Sequence, residues 1–312
     1  MHGRVKRYAD LAVLSTVWLL LVLLFGRASG SFMSAATLGS VANRIPALLL
    51  SATGMTLLMV TGGIDLSVGS LLGLSGAVVG VVMVDGGFGL PAALLAGIAV
   101  GCLVGGINGL VSVKLQLPSF IVTLGTLEIA RGLAFLITRS QTKYIGPAVE
   151  GLGNAMDGWI VSPAFLAALA AVVLGQLLLS FSVLGRHLVA VGANTEAATL
   201  AGVPVDRTRL WAHMLLGALT GLAGVFNCSR LGSADPNAGV GFELSVIAAV
   251  VVGGTSLAGG RGSVIKSGLG VLIVATLEAG LVQLGASEPI KRVVTGVVIV
   301  AAVFADSWRR RR

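Results

Sequence analysis

The chain alternates long apolar runs with short polar breaks, and the runs are long enough to be read as membrane spans. A helix crosses a bilayer with about 20 predominantly apolar residues. Ten stretches meet that measure, at roughly 8–26, 45–62, 68–84, 90–113, 118–138, 162–182, 208–228, 240–255, 264–284 and 289–306. The third and eighth are short and adjoin glycine-rich breaks. They are expected to be tilted, re-entrant or broken, which leaves about eight to eleven true spans. Residues 31–44 place Phe32, Met33, Leu38 and Val41 at loose helical spacing, as in a short interfacial helix on the outer side. The stretch 139–160 reads as the longest outer loop and 183–209 as the longest cytoplasmic one. The first run follows Arg4, Lys6 and Arg7 like a secretory leader. It lacks a convincing small-residue cleavage site, so it is read as an uncleaved first helix.

The polar breaks carry the candidate chemistry. Thr61-Gly62-Gly63-Ile64-Asp65-Leu66-Ser67-Val68-Gly69-Ser70 sets a carboxylate and three hydroxyl side chains at the junction of two apolar runs. Gly62 and Gly63 weaken a helix there, because glycine loses the most backbone entropy on ordering. Asp65 then lies at a helix end, inside or beside the membrane, where a charge is expensive and marks a pathway or a structural lock. Capping the following helix and touching a transported solute are both open to it, and they are compatible. Ser67, Ser70 and Asn108 join Asp65, Gly62 and Gly63 as candidates for the path or its locks.

A second break, Val252-Gly253-Gly254-Thr255-Ser256-Leu257-Ala258-Gly259-Gly260-Arg261-Gly262-Ser263, offers Gly253, Gly254, Gly259 and Gly260 as hinge candidates. It does not fit the phosphate-cradling P-loop, which needs a lysine directly after a glycine. None of the lysines at 6, 114, 143, 266 and 291 follows a glycine, so ATP-driven work needs a partner chain. Within 183–209, Asn194 or Thr195 can cap a short helix running through Leu200, with Gly202 ending it. Such a helix either docks on another protein or is a plain connector.

Composition sharpens this picture. The chain has 312 residues, 55% hydrophobic and only 11% charged, with a mean hydropathy of +0.98. Soluble domains carry about 25% charged residues, so the class is a polytopic, all-α membrane bundle forming one domain over 1–312. The 45 glycines lie inside apolar runs, where small residues let helices approach closely, as at Gly101 with Gly105 and Gly217 with Gly221. A net charge of +8 does not point to nucleic acid, because the basic residues flank the apolar runs.

With the N-terminus inside and ten spans, the cytoplasmic side holds Arg4, Lys6, Arg7, Lys114, Arg186, Arg207, Arg209, Arg261, Lys266 and Arg309 to Arg312. The outer side holds Arg27, Arg44, Arg139, Lys143, Arg230, Lys291 and Arg292, and Arg131 falls within the fifth span. That excess inside predicts both termini in the cytoplasm, with the apolar spans in membrane lipid. Cys102 and Cys228 form no disulfide framework, the three histidines are scattered, and no catalytic constellation is present. Neither a metal nor an enzyme active site is expected.

Several motifs, taken together and in order, resemble a known family. They are Met55-Thr56 with the 61–70 break, Pro118-Ser119-Phe120-Ile121-Val122-Thr123-Leu124-Gly125-Thr126, the 192–203 loop, Ala234-Asp235-Pro236-Asn237-Ala238-Gly239, and Glu243-Leu244 with the 252–262 break. The pattern is similar to that of sugar ABC importer permeases of the ribose-transporter type, over roughly 35–306. The resemblance implies a permease paired with a second copy or a paralogue. It also implies a cassette ATPase that binds the ATP and a periplasmic sugar-binding protein. Asn194, Glu196, Ala197 and Ala198, with Gly202, are similar to the helix that couples permease to ATPase. The family includes permeases for ribose, xylose, arabinose, galactose, inositol, rhamnose and quorum-signal sugars, and its motifs do not name the sugar. The rival reading is a proton-coupled secondary transporter using Asp65. The sequence places no second acid or histidine near Asp65 to complete a relay.

Overall fold

The computed structural model describes the backbone of residues 2–311, and the side chains of these except 2–9, 288, 299, 302 and 305–311. Every one of the predicted apolar stretches is helical. The elements run α1 (His2–Ala28), α2 (Ala35–Arg44), α3 (Pro46–Val60), α4 (Val68–Gly80), a π-helical turn (Val81–Asp85), α5 (Leu90–Lys114) and α6 (Ser119–Thr138). After β1 (Lys143–Tyr144) come α7 (Pro147–Glu150), α8 (Pro163–Phe181), α9 (Val183–Ala193), α10 (Thr195–Leu200) and α11 (Val205–Leu231). Then follow β2 (Ser233–Ala234), α12 (Phe242–Val252), α13 (Val264–Gln283) and α14 (Glu288–Arg311). Seven helices among the described residues are long and apolar enough to cross a membrane, or eight if the bent α2–α3 pair is one span.

Two expectations about element lengths change. The third stretch reaches membrane length because the π turn extends α4 to Asp85. The eighth does not: α12 has 11 residues and spans about 16 Å at the helical rise. The 183–209 loop contains a further helix, α9, before the short capped one. Its Ser182 cap accepts the Gly185 N–H.

α3 is apolar on all sides and buried along nearly its whole length, so it is the central helix of the bundle. The glycines singled out on α5 and α11 face one another. A Cβ at Gly217 would collide with the Gly101 carbonyl, and one at Gly101 would lie 2.8 Å from the Gly221 Cα. Each helix thus supplies the gap into which the other's backbone fits.

The loops sort to two ends. At one, Lys143 pairs with Asp85 at 2.9 Å, β1 pairs antiparallel with β2, and Asn43 bridges Ile160 and Ser162. At the other, the Gly260 N–H donates to Val60 O at 2.8 Å, and the Ile64 N–H to Ser119 Oγ at 2.9 Å. These groupings are those required by the in–out alternation of the spans, with 139–160 at one end and 183–209 at the other. The side chains of Arg4, Lys6, Arg7 and Arg309 to Arg312, which carry much of the charge asymmetry, lie outside the described residues.

Candidate translocation and coupling sites

The 61–70 break folds into a closed polar knot. α3 ends at Val60 and Gly62 takes φ +84°, a conformation suited to glycine. The chain then turns back so that Asp65, 1% exposed, receives the Ser67 N–H at 2.8 Å and the Ser67 hydroxyl. From α5, Asn108 Nδ2 donates to Asp65 Oδ2 and to Ser67 Oγ, both at 3.1 Å. Thr126 of α6 in turn donates to Asn108 Oδ1 at 2.6 Å. Thr123 and Ser119 accept the Leu66 and Ile64 N–H groups. The backbone freed by the break is therefore held by α6, and the carboxylate by α5 and the start of α4. Ser70 is buried on α4 outside this chain of bonds.

One element of the rival reading changes here. The sequence separates Asp65 from every histidine, but α5 brings them together. Gly105 and Gly109 of α5 sit directly against His213 of α11, and Asn108 of the same helix bonds Asp65. His213 is buried, its Nδ1 contacts Arg209 O at 3.0 Å, and its Nε2 has no hydrogen-bond partner among the described residues.

The second break is a packed junction. Gly254, Gly259 and Gly260 all have positive φ. A Cβ at Gly259 would meet the Gly62 N at 2.8 Å, and one at Gly260 the Ala193 Cα at 2.9 Å. A Cβ at Gly253 would lie 2.6 Å from the Lys266 O. This loop thus ties the end of α3 to the end of α9, immediately before α10.

α10 forms as expected. Asn194 is its cap, accepting the Ala197 N–H at 2.9 Å, and Gly202 follows with φ +78°. Its faces need a correction. Ala198 is 5% exposed and packs against the protein's own body, while Glu196, Ala197 and Leu200 face outward, with Leu200 90% exposed. Spacing alone could not show which of the two adjacent alanines is covered by α9 and α11.

A third feature escaped the sequence reading. Between β2 and α12 the chain descends along α4 without forming a helix. Ala234 lies against Gly80, Ala238 against Gly73 and Gly239 against Gly69. Gly69 and Gly80 lie 11 helical steps apart, so the descent is about 16 Å. Backbone at that depth needs an internal partner, and Arg131 of α6 supplies it. Its Nη1 donates to Pro236 O at 2.9 Å and to Ala238 O at 2.7 Å. An arginine inside a span was the available signal; what it lacked was a partner, which only the fold reveals.

Polar groups gathered inside the bundle, with helices interrupted at depth, are what a solute-translocating membrane protein requires, and that is the class defined here. Residues 37–303 match the family described as branched-chain amino acid transport system / permease component, and the chain belongs to that permease family. It is 35% identical over 305 residues to the ribose import permease protein RbsC of Escherichia coli (strain K12), covering 94% of this chain and 92% of the relative. Against the Bacillus subtilis (strain 168) protein of the same name it is 39% identical over 296 residues, covering 92% and 89%. The L-arabinose transport system permease protein AraH of Escherichia coli (strain K12) is 36% identical over 267 residues, covering 83% and 79%. No solved structure matches.

Proposed function

We propose that the protein is the inner-membrane permease of an ATP-driven importer that takes in a monosaccharide delivered by a periplasmic binding protein. The similarity to ribose and arabinose import permeases, sustained over most of both chains, carries this reading. The permease pairs with a second copy or a paralogue, and ATP is bound and hydrolysed by a separate cassette ATPase. That ATPase docks on α10, where the exposed Leu200 and the small Ala197 offer an apolar contact beside Glu196. Movement of α10 reaches the bundle through the junction of Ala193, Gly260, Gly259 and Gly62, with Gly253 and Gly254 as the further hinge points. Asp65, Ser67 and Asn108 act as the lock that holds the start of α4, rather than as a sugar site. Both termini are cytoplasmic.

The test is uptake of labelled ribose, arabinose, xylose and galactose into proteoliposomes holding the permease, its ATPase and the binding protein. Uptake of at least one sugar that needs ATP and the binding protein is expected. Uptake driven by a proton gradient without ATP would overturn the reading and favour a relay through Asp65 and His213.

A further inference from the structure

The short α12 leaves a space above it. Its neighbours α11 and α13 continue toward the β1–β2 end, while the chain leading into α12 is unwound and pressed against α4. The resulting cavity has a volume of about 420 Å³, within the roughly 300–1,000 Å³ of small-molecule sites. Leu72, Gly239 and Phe242 line it from α4, the unwound segment and the start of α12. Asn227 of α11, Ser245 of α12 and Glu278 of α13, each half-buried, contribute uncharged and acidic groups to its wall. Arg44 and the exposed Arg230 stand beside them, and Arg230 Nη2 donates to Asn227 Oδ1 at 3.4 Å. A neighbouring cavity of about 380 Å³ shares Arg44, Gly239, Phe242, Ser245 and Glu278 and continues toward α14.

We infer that this cavity is where the permease receives its solute, and that it takes a monosaccharide entering from the β1–β2 end. The inference rests on the sugar-import reading and adds the residues that meet the sugar within one protomer. A sugar presents hydroxyls at its rim and apolar C–H faces. The wall matches both, with amide, hydroxyl and carboxylate groups around an aromatic ring and a leucine. Gly239 in its wall belongs to the non-helical stretch that runs along α4, next to the Ala238 carbonyl held by Arg131.

The test introduces Ser245→Cys into the complete importer, with the wild type as the control for Cys102 and Cys228. Spheroplasts are treated with a bulky, membrane-impermeant methanethiosulfonate, then supplied with purified binding protein and labelled ribose, arabinose, xylose or galactose. The expected result is modification from outside and loss of sugar uptake, with binding-protein-stimulated ATP hydrolysis retained by the modified complex in nanodiscs. No modification in intact spheroplasts would show that the cavity is closed to the outside and overturn the inference. So would modification with undiminished uptake. Loss of both uptake and binding-protein-stimulated hydrolysis would assign the surface to binding-protein docking and also reject a sugar site. Failure of the unmodified wild-type importer to take up any of these sugars would instead refute the sugar-import reading, and the inference with it. As a second variant, Asn227→Ala is expected to raise the KM for uptake while leaving ATPase association unchanged.

Discussion

Replacing Asp65 separates a structural lock from a charge needed in transport. In Asp65→Leu, the Ser67 N–H and the Ser67 hydroxyl lose their acceptor inside a site that is 1% exposed, while the Asn108 amide keeps Ser67 Oγ. Each buried donor left unpaired costs about 1–3 kcal/mol, so the variant should lose about 2–6 kcal/mol. Asp65→Asn keeps one oxygen for the Ser67 N–H. Its new NH₂ group faces the Asn108 Nδ2, donor to donor, unless Asn108 turns over and gives up the bond from Thr126. That limits the loss to one interaction, about 1–3 kcal/mol. Equilibrium unfolding in mixed micelles, read by helicity, should therefore rank the wild type above Asp65→Asn and Asp65→Leu last. ATP-driven uptake per assembled permease should be largely kept in Asp65→Asn. An Asp65→Leu protein as stable as the wild type would refute the lock. A stable, fully assembled Asp65→Asn protein without uptake would show that the charge itself is required.

The exposed side of α10 predicts that Leu200→Asp reduces co-purification of the ATPase by about tenfold, the equivalent of about 1.4 kcal/mol, at normal permease abundance. Ala198→Arg should instead lower permease abundance, since Ala198 is buried in the chain itself; unchanged abundance with selective loss of the ATPase would return Ala198 to the interface. Gly217→Val forces a side chain against the Gly101 carbonyl, and should destabilise the bundle by about 1–3 kcal/mol in the same micelle assay. Gly151 is exposed, with nothing within 4 Å of its added Cβ. Gly151→Cys should therefore fold normally and react with an impermeant thiol reagent in intact spheroplasts; labelling only after lysis would reverse the orientation.

Local properties of the chain were enough to determine the long apolar helices. Hydropathy depends on residues within one stretch, and every apolar stretch became a helix because a backbone in lipid must satisfy its own hydrogen bonds. The cap at Asn194 and the break at Gly62 were legible for the same reason, since each depends on a few neighbouring residues. The glycines at 101, 105, 217 and 221 announced close packing, but not that they would meet each other. Pairing across more than a hundred residues is decided by which surfaces fit. Tertiary structure alone determined that Asn108 and Thr126 complete the Asp65 knot and that His213 packs against α5, the helix that carries Asn108. It also determined that Ala198 faces inward, and that Arg131 holds an unwound segment above the short α12. In each case the deciding quantity is the identity of a distant neighbour, and a buried polar group has its meaning only through that neighbour.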